Sequence, residues 1–82
     1  MAQMQPMTSG KLEPVSNVTY DLVTVLSNVG EAVDALDTYI EDAKKANDRD
    51  AQQVFEQIRA DEMRHGELLR NTICNQIKQG KF

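Results

Sequence analysis

The 82-residue chain has no tryptophan, one cysteine, two prolines, four glycines, two tyrosines and two phenylalanines. A single thiol, Cys74, excludes an internal disulfide framework and a multi-cysteine zinc site, as expected in a reducing compartment. Nowhere do five basic residues cluster. The 9 Lys plus Arg are outnumbered by 13 Asp plus Glu, for a formal charge of −4, which makes nucleic acid and anionic membrane surfaces poor candidate partners. Apolar runs extend over a few residues only, far short of the roughly 20 that cross a bilayer. Residues 1–14 lack the basic start and apolar stretch of a secretion signal. A cytoplasmic location is therefore expected. A chain of this length has room for one small domain, whose core must be economical or shared with another copy.

What the sequence does have is helical periodicity. Residues 1–15, rich in Gln, Met, Ser, Gly and Pro, show none and are expected to form a flexible tail. Ser16 is a good N-cap, and from it Leu22, Leu26, Val29, Val33, Leu36 and Ile40 recur at spacings of four and three. The spacing predicts a helix over 17–46. Asn47, Asp48, Arg49 and Asp50 then supply turn formers and N-cap candidates. A second stripe, Ala51, Phe55, Ile58, Glu62, His65, Leu69, Thr72 and Gln76, predicts a helix over 50–78, with Gly80 as its stop. The predicted fold is all-α, an antiparallel two-helix hairpin over residues 16–80. One side of each apolar stripe would be left uncovered, and a second copy completing a four-helix bundle is the simplest remedy.

The second stripe contains two ionisable residues. Glu62 and His65 form an E-x-x-H element whose members project from one face of a helix. In a bundle interior an unpaired carboxylate costs several kcal/mol (~2–7) or takes up a proton. A divalent metal would compensate it, because carboxylate and neutral imidazole are ligands for iron, manganese and zinc. One hairpin offers few ligands, whereas two copies would supply two Glu62 and two His65. A di-iron site in a bundle also needs a carboxylate from each remaining helix. A turn near Asn47 and Asp48 sets Glu62 level with Val33 and His65 with Gly30, so Glu31 and Asp34 are the candidates, Glu31 at the flank of the stripe and Asp34 further out. Gly30 and Gly66 are also nearly level, marking close helix approach, room for an occupant, or surface tolerance. An inert hydrogen-bonded His–Glu pair remains the alternative for Glu62 and His65, and plain aromatic packing the alternative for Tyr39.

At these residues the sequence resembles the ferritin-like superfamily, and within it the half-length encapsulated ferritins, over residues 31–69. The resemblance implies that two hairpins build a ferritin-like four-helix bundle with a di-iron ferroxidase centre between them. It further implies that Fe(II) is oxidised there by dioxygen or peroxide for iron storage, and that dimers join into a larger ring such as a decamer. Glu62 and His65 match the iron-binding pair of the second helix, and Tyr39 matches a tyrosine beside the centre. Glu31 matches a carboxylate of an outer metal site, and Asp34 stands where that site usually has a glutamate. The family's remaining iron ligand, a first-helix glutamate, falls here on Ala32. The tail that docks such proteins into an encapsulin shell is not recognisable after Gly80. A rubrerythrin-like peroxide scavenger and a non-catalytic helical adaptor are the alternatives, the former without its rubredoxin-type cysteine pairs.

Overall fold

The computed structural model describes residues 14–82, so the tail expected over residues 1–15 falls almost wholly outside the described residues. Two helices follow, α1 (Asn17–Lys45) and α2 (Arg49–Lys78), packed as an antiparallel hairpin with no strand among the described residues. At 1.5 Å per residue they are about 44 and 45 Å long. No described helix is long and apolar enough to cross a membrane.

Both ends of each helix are closed by local chemistry. The Ser16 hydroxyl accepts from the Thr19 amide at 3.1 Å, which caps α1 where expected. At the other end, Asn47 takes a left-handed conformation (φ 56°). Its amide donates to the Lys44 carbonyl at 3.1 Å, while the Asp48 amide donates to the Ala43 carbonyl at 2.9 Å. This double bond pattern closes the last carbonyls of α1, with asparagine in the place glycine usually takes. Asp48 then turns its carboxylate onto the Ala51 amide at 3.0 Å and caps α2. Three residues thus end one helix and begin the next. Gly80 (φ 72°) ends α2 through the same pattern, with its amide on the Ile77 carbonyl and the Lys81 amide on that of Gln76.

The open end of the hairpin is laced shut. The Ser16 amide donates to the Phe82 carbonyl at 2.8 Å, and the Thr19 hydroxyl reaches the Lys81 carbonyl at 3.4 Å. Thr19, a polar residue, is fully buried there because its hydroxyl has partners in both Ser16 and Lys81.

The seam on α1 is the predicted one. Leu36, Ile40 and Ala43 are buried, and Leu22, Leu26, Val29 and Val33 are half-buried along the same stripe. On α2 the seam is rotated from the predicted stripe. Phe55, Glu62, Leu69 and Gln76 are half-buried, but Ile58 and His65 are exposed, and Arg59 and Gly66 take the half-buried places beside them. The antiparallel register holds: Tyr39 packs on Phe55, Arg59 reaches Asp37, and Gly66 lies level with Val29. Three buried apolar side chains are a small core for the described residues (~1.5 kcal/mol of entropy per residue opposes folding).

Candidate metal centre

Glu62 and His65 sit one turn apart on α2, and the His65 Nδ1 lies 2.8 Å from Glu62 Oε1. An ionised Glu62 makes Nδ1 the protonated nitrogen, so the Nε2 lone pair of a neutral imidazole is directed away and is free to bind a cation. Glu62 keeps its second oxygen for another partner. Its side chain is 25% exposed, whereas that of His65 is 60% exposed. Within one hairpin the pair straddles the seam instead of lying in an interior.

Successive helical residues are rotated by about 100°, which sorts the remaining side chains onto two flanks of the seam. One flank holds Asp37 and Arg59, joined by an ion pair at 2.6 Å. Tyr39 and Val54 lie on the other, where the Tyr39 ring meets Phe55 with centroids 5.8 Å apart. Following the 100° step along each helix, the Tyr39 flank carries Val18, Val25 and Ala32 on α1, each seven residues from the next. On α2 it carries Val54, Ile58, His65 and Leu68. Val18, Val25, Tyr39, Val54, Ile58 and Leu68 are all exposed large apolar side chains. His65 thus lies on an uncovered apolar flank, level with Ala32.

The opposite flank is mixed in charge. A groove of about 470 Å³ runs along it, with Leu26, Val29 and Val33 on its apolar side and Asp34, Glu62, Glu67, Arg64 and Arg70 among its polar lining. Gly30 and Gly66 open this groove. A methyl group on Gly66 would meet Val29 Cγ1 at 3.7 Å, ordinary contact, and one on Gly30 would meet nothing within 4 Å. The level glycines therefore leave room and do not mark close helix approach.

The predicted site residues divide accordingly. Glu62 and His65 come together, and Asp34 shares the groove with Glu62. The expected order of the α1 acids is reversed. Glu31 is exposed and lies about 200° from both Val29 and Val33, which puts it on the back of α1, while Asp34, one step past Val33, turns toward the groove. Tyr39 lies toward the turn, in a recess of about 260 Å³ with Asp42, Asp48 and Phe55, away from Glu62. Among the described residues of one chain, no three His, Cys, Asp or Glu side chains are gathered to hold a metal ion. The Arg59–Asp37 and Arg64–Asp61 ion pairs escaped sequence reasoning. The first was detectable as opposite charges facing each other across the antiparallel register.

The donor set can be tested against the di-iron centre that the resemblance implies. Two copies supply two carboxylates and two imidazoles. The further carboxylate from each first helix is missing on the His65 flank, where α1 presents Ala32, with Glu31 on the back and Asp34 on the other flank. The first-helix carboxylate of a two-ion bundle centre is therefore lacking at the level of His65, while Asp61, half-buried one turn before His65 and paired with Arg64, is a further carboxylate on that side of α2. Comparison with protein-family models, curated proteins and solved structures returns no match.

Proposed function

We propose that this protein is an iron-binding, ferroxidase-like hairpin whose metal site is completed when two copies pair, with Fe(II) as its substrate. One observation carries the proposal: the Glu62–His65 pair, hydrogen-bonded at 2.8 Å, lies at the edge of an uncovered apolar flank. Covering Val54, Ile58 and Leu68 with a second copy removes apolar surface from water, and the same event brings two Glu62–His65 pairs into one interface. The carboxylates then face a water-poor environment in which a cation is their natural compensation. His65 supplies a neutral nitrogen ligand, and Glu62 supplies charge while holding the imidazole in the binding tautomer. Bound iron supplies the redox chemistry, with dioxygen or peroxide as oxidant. Assembly of pairs into a ring, iron storage and association with an encapsulin shell belong to the same family-level proposal.

Anaerobic Fe(II) titration followed by exposure to dioxygen or peroxide tests it. Glu62→Ala and His65→Ala should each abolish iron uptake and lower the oxidation rate at least ~10-fold, with unchanged helical circular dichroism. Undiminished uptake and oxidation in both variants would reject the site. Metal-free protein whose melting temperature ignores Fe(II) would instead identify the pair as a polar fastener of a non-catalytic adaptor.

A further inference from the structure

Resting on the shared-site proposal above, we infer that Asp61 is the carboxylate that enters the shared metal site together with His65, and that Glu62 acts from behind as the residue that positions the imidazole. Val54, Asp61 and Leu68 are each seven residues from the next and form one row along α2, offset by only about 20° per step. Val54 and Leu68 are exposed, and Asp61 is half-buried between them. A second copy that covers this flank therefore lies over Asp61. Glu62 is turned by about 100° from it, toward the seam, and lines the groove on the opposite flank.

Asp61 and His65 are four residues apart, so their side chains share one face with Cβ atoms about 5–6 Å apart, the spacing at which two residues of one helix bind one cation. Each is held by a neighbour through one atom and open at another. Asp61 Oδ1 accepts both from the Gln57 side-chain amide at 3.1 Å and from the Arg64 guanidinium, which leaves Oδ2 without a partner among the described residues. Arg64 reaches Asp61 from the exposed back of α2, so the oxygen it leaves free is the one available to an incoming copy. His65 Nδ1 meets Glu62 Oε1 at 2.8 Å, which leaves Nε2. Metal sites fix their donors in this way, with a hydrogen bond behind each ligand that sets its tautomer and orientation. Two copies would bring two Oδ2 and two Nε2 atoms to the covered flank. Ala32, the α1 side chain level with them, is too small to close over them.

Co(II) is a suitable probe, since its binding is followed without turnover through visible and near-ultraviolet absorption. In titrations of the full chain, with pairing followed by light scattering, Asp61→Asn keeps the acceptor for Gln57 and Arg64 but removes the ligand charge. It should weaken Co(II) binding more than ~100-fold, beyond the range of residues that only orient a ligand. Glu62→Gln, which still accepts from His65 Nδ1, should weaken it about 10-fold, the size of a positioning effect. In a Cys74→Ala background, Asp61→Cys puts a thiolate in place of the carboxylate and should give the intense thiolate-to-Co(II) charge-transfer band that arises only from direct coordination. Paired, helical Asp61→Cys chains that bind Co(II) without that band would overturn the assignment, as would the reverse order of losses in Asp61→Asn and Glu62→Gln. Loss of uptake in His65→Ala with full uptake in Asp61→Asn would return the carboxylate role to Glu62 and leave the shared site standing. Co(II) binding untouched by His65→Ala, Glu62→Gln and Asp61→Asn would instead remove the shared site itself.

Discussion

At the scale of single residues, the turn shows how two side chains specify a hairpin. Asn47 accepts the left-handed conformation because its short polar side chain tolerates a positive φ, and Asp48 satisfies an amide that nothing else in the turn can reach. The two positions make opposite predictions. Asp48→Ala leaves the first turn of α2 with an unmet amide and should cost about 1 kcal/mol. Asn47→Gly relaxes the backbone requirement and should be neutral or slightly stabilising, whereas Asn47→Val forces a β-branched side chain into the left-handed region and should cost at least ~1 kcal/mol. Urea unfolding monitored by circular dichroism orders the variants. A valine variant as stable as the glycine variant would mean that Asn47 does not hold this conformation.

At the scale of the helix, glycines in the middle of α1 and α2 are the least economical residues in the fold. Gly66 gives up about 1 kcal/mol of helix propensity relative to alanine, and the methyl group it lacks would sit in ordinary contact with Val29 and Leu26. Gly66→Ala should therefore raise stability by about 1 kcal/mol, or roughly 4–8 °C in Tm for a chain of this size, and calorimetry reads the shift directly. A lower Tm would show that α1 and α2 approach more closely at this level than the 3.7 Å contact indicates.

The same two glycines explain what sequence periodicity revealed and what it hid. The α1 stripe from Leu22 to Ile40 was legible because every member is a branched hydrophobe and packs as predicted. The α2 stripe was legible in extent but not in rotation. The predicted stripe is two rows, one through Ile58 and His65 and one through Phe55, Glu62, Leu69 and Gln76, set about 60° apart around the helix. The seam follows the second row, so Ile58 and His65 fall outside it, and Arg59 and Gly66, on its other side, come to the seam. Glycine carries no hydropathy signal and arginine carries the wrong one, although the aliphatic stem of Arg59 can lie along the seam while its guanidinium reaches Asp37. In the site, the Glu62–His65 contact followed from a spacing of three. Which of Glu31 and Asp34 lies nearer the seam was not legible, because a one-residue step is about 100° of rotation, more than a stripe defined by well-separated residues can resolve.

At the scale of the whole molecule, the two flanks differ in kind, and the proposed second copy is placed on the more apolar of them. The Asp37–Arg59 flank pairs its charges across the seam and presents Asp34, Glu67 and Arg70 to solvent. Its exposed apolar side chains, Val23, Met63 and Ile77, are interspersed with those charges. The Tyr39 flank exposes Val18, Val25, Val54, Ile58 and Leu68 with few charges among them, and nothing within a single hairpin covers them. A second copy placed there would double the small core built on Leu36 and Ile40. Ile58→Lys or Leu68→Lys places an ammonium in that interface and should weaken self-association about 100-fold or more, the effect of losing a central apolar contact and burying a charge. Met63→Lys, at an exposed methionine beside the groove on the other flank, should leave association unchanged. Sedimentation of the three variants separates the flanks, because association that responds to Met63 and not to Ile58 or Leu68 would move the partner to the groove. Metal uptake should follow the same division, since His65 lies between Ile58 and Leu68 on the helix and loses its counterpart when that flank is opened.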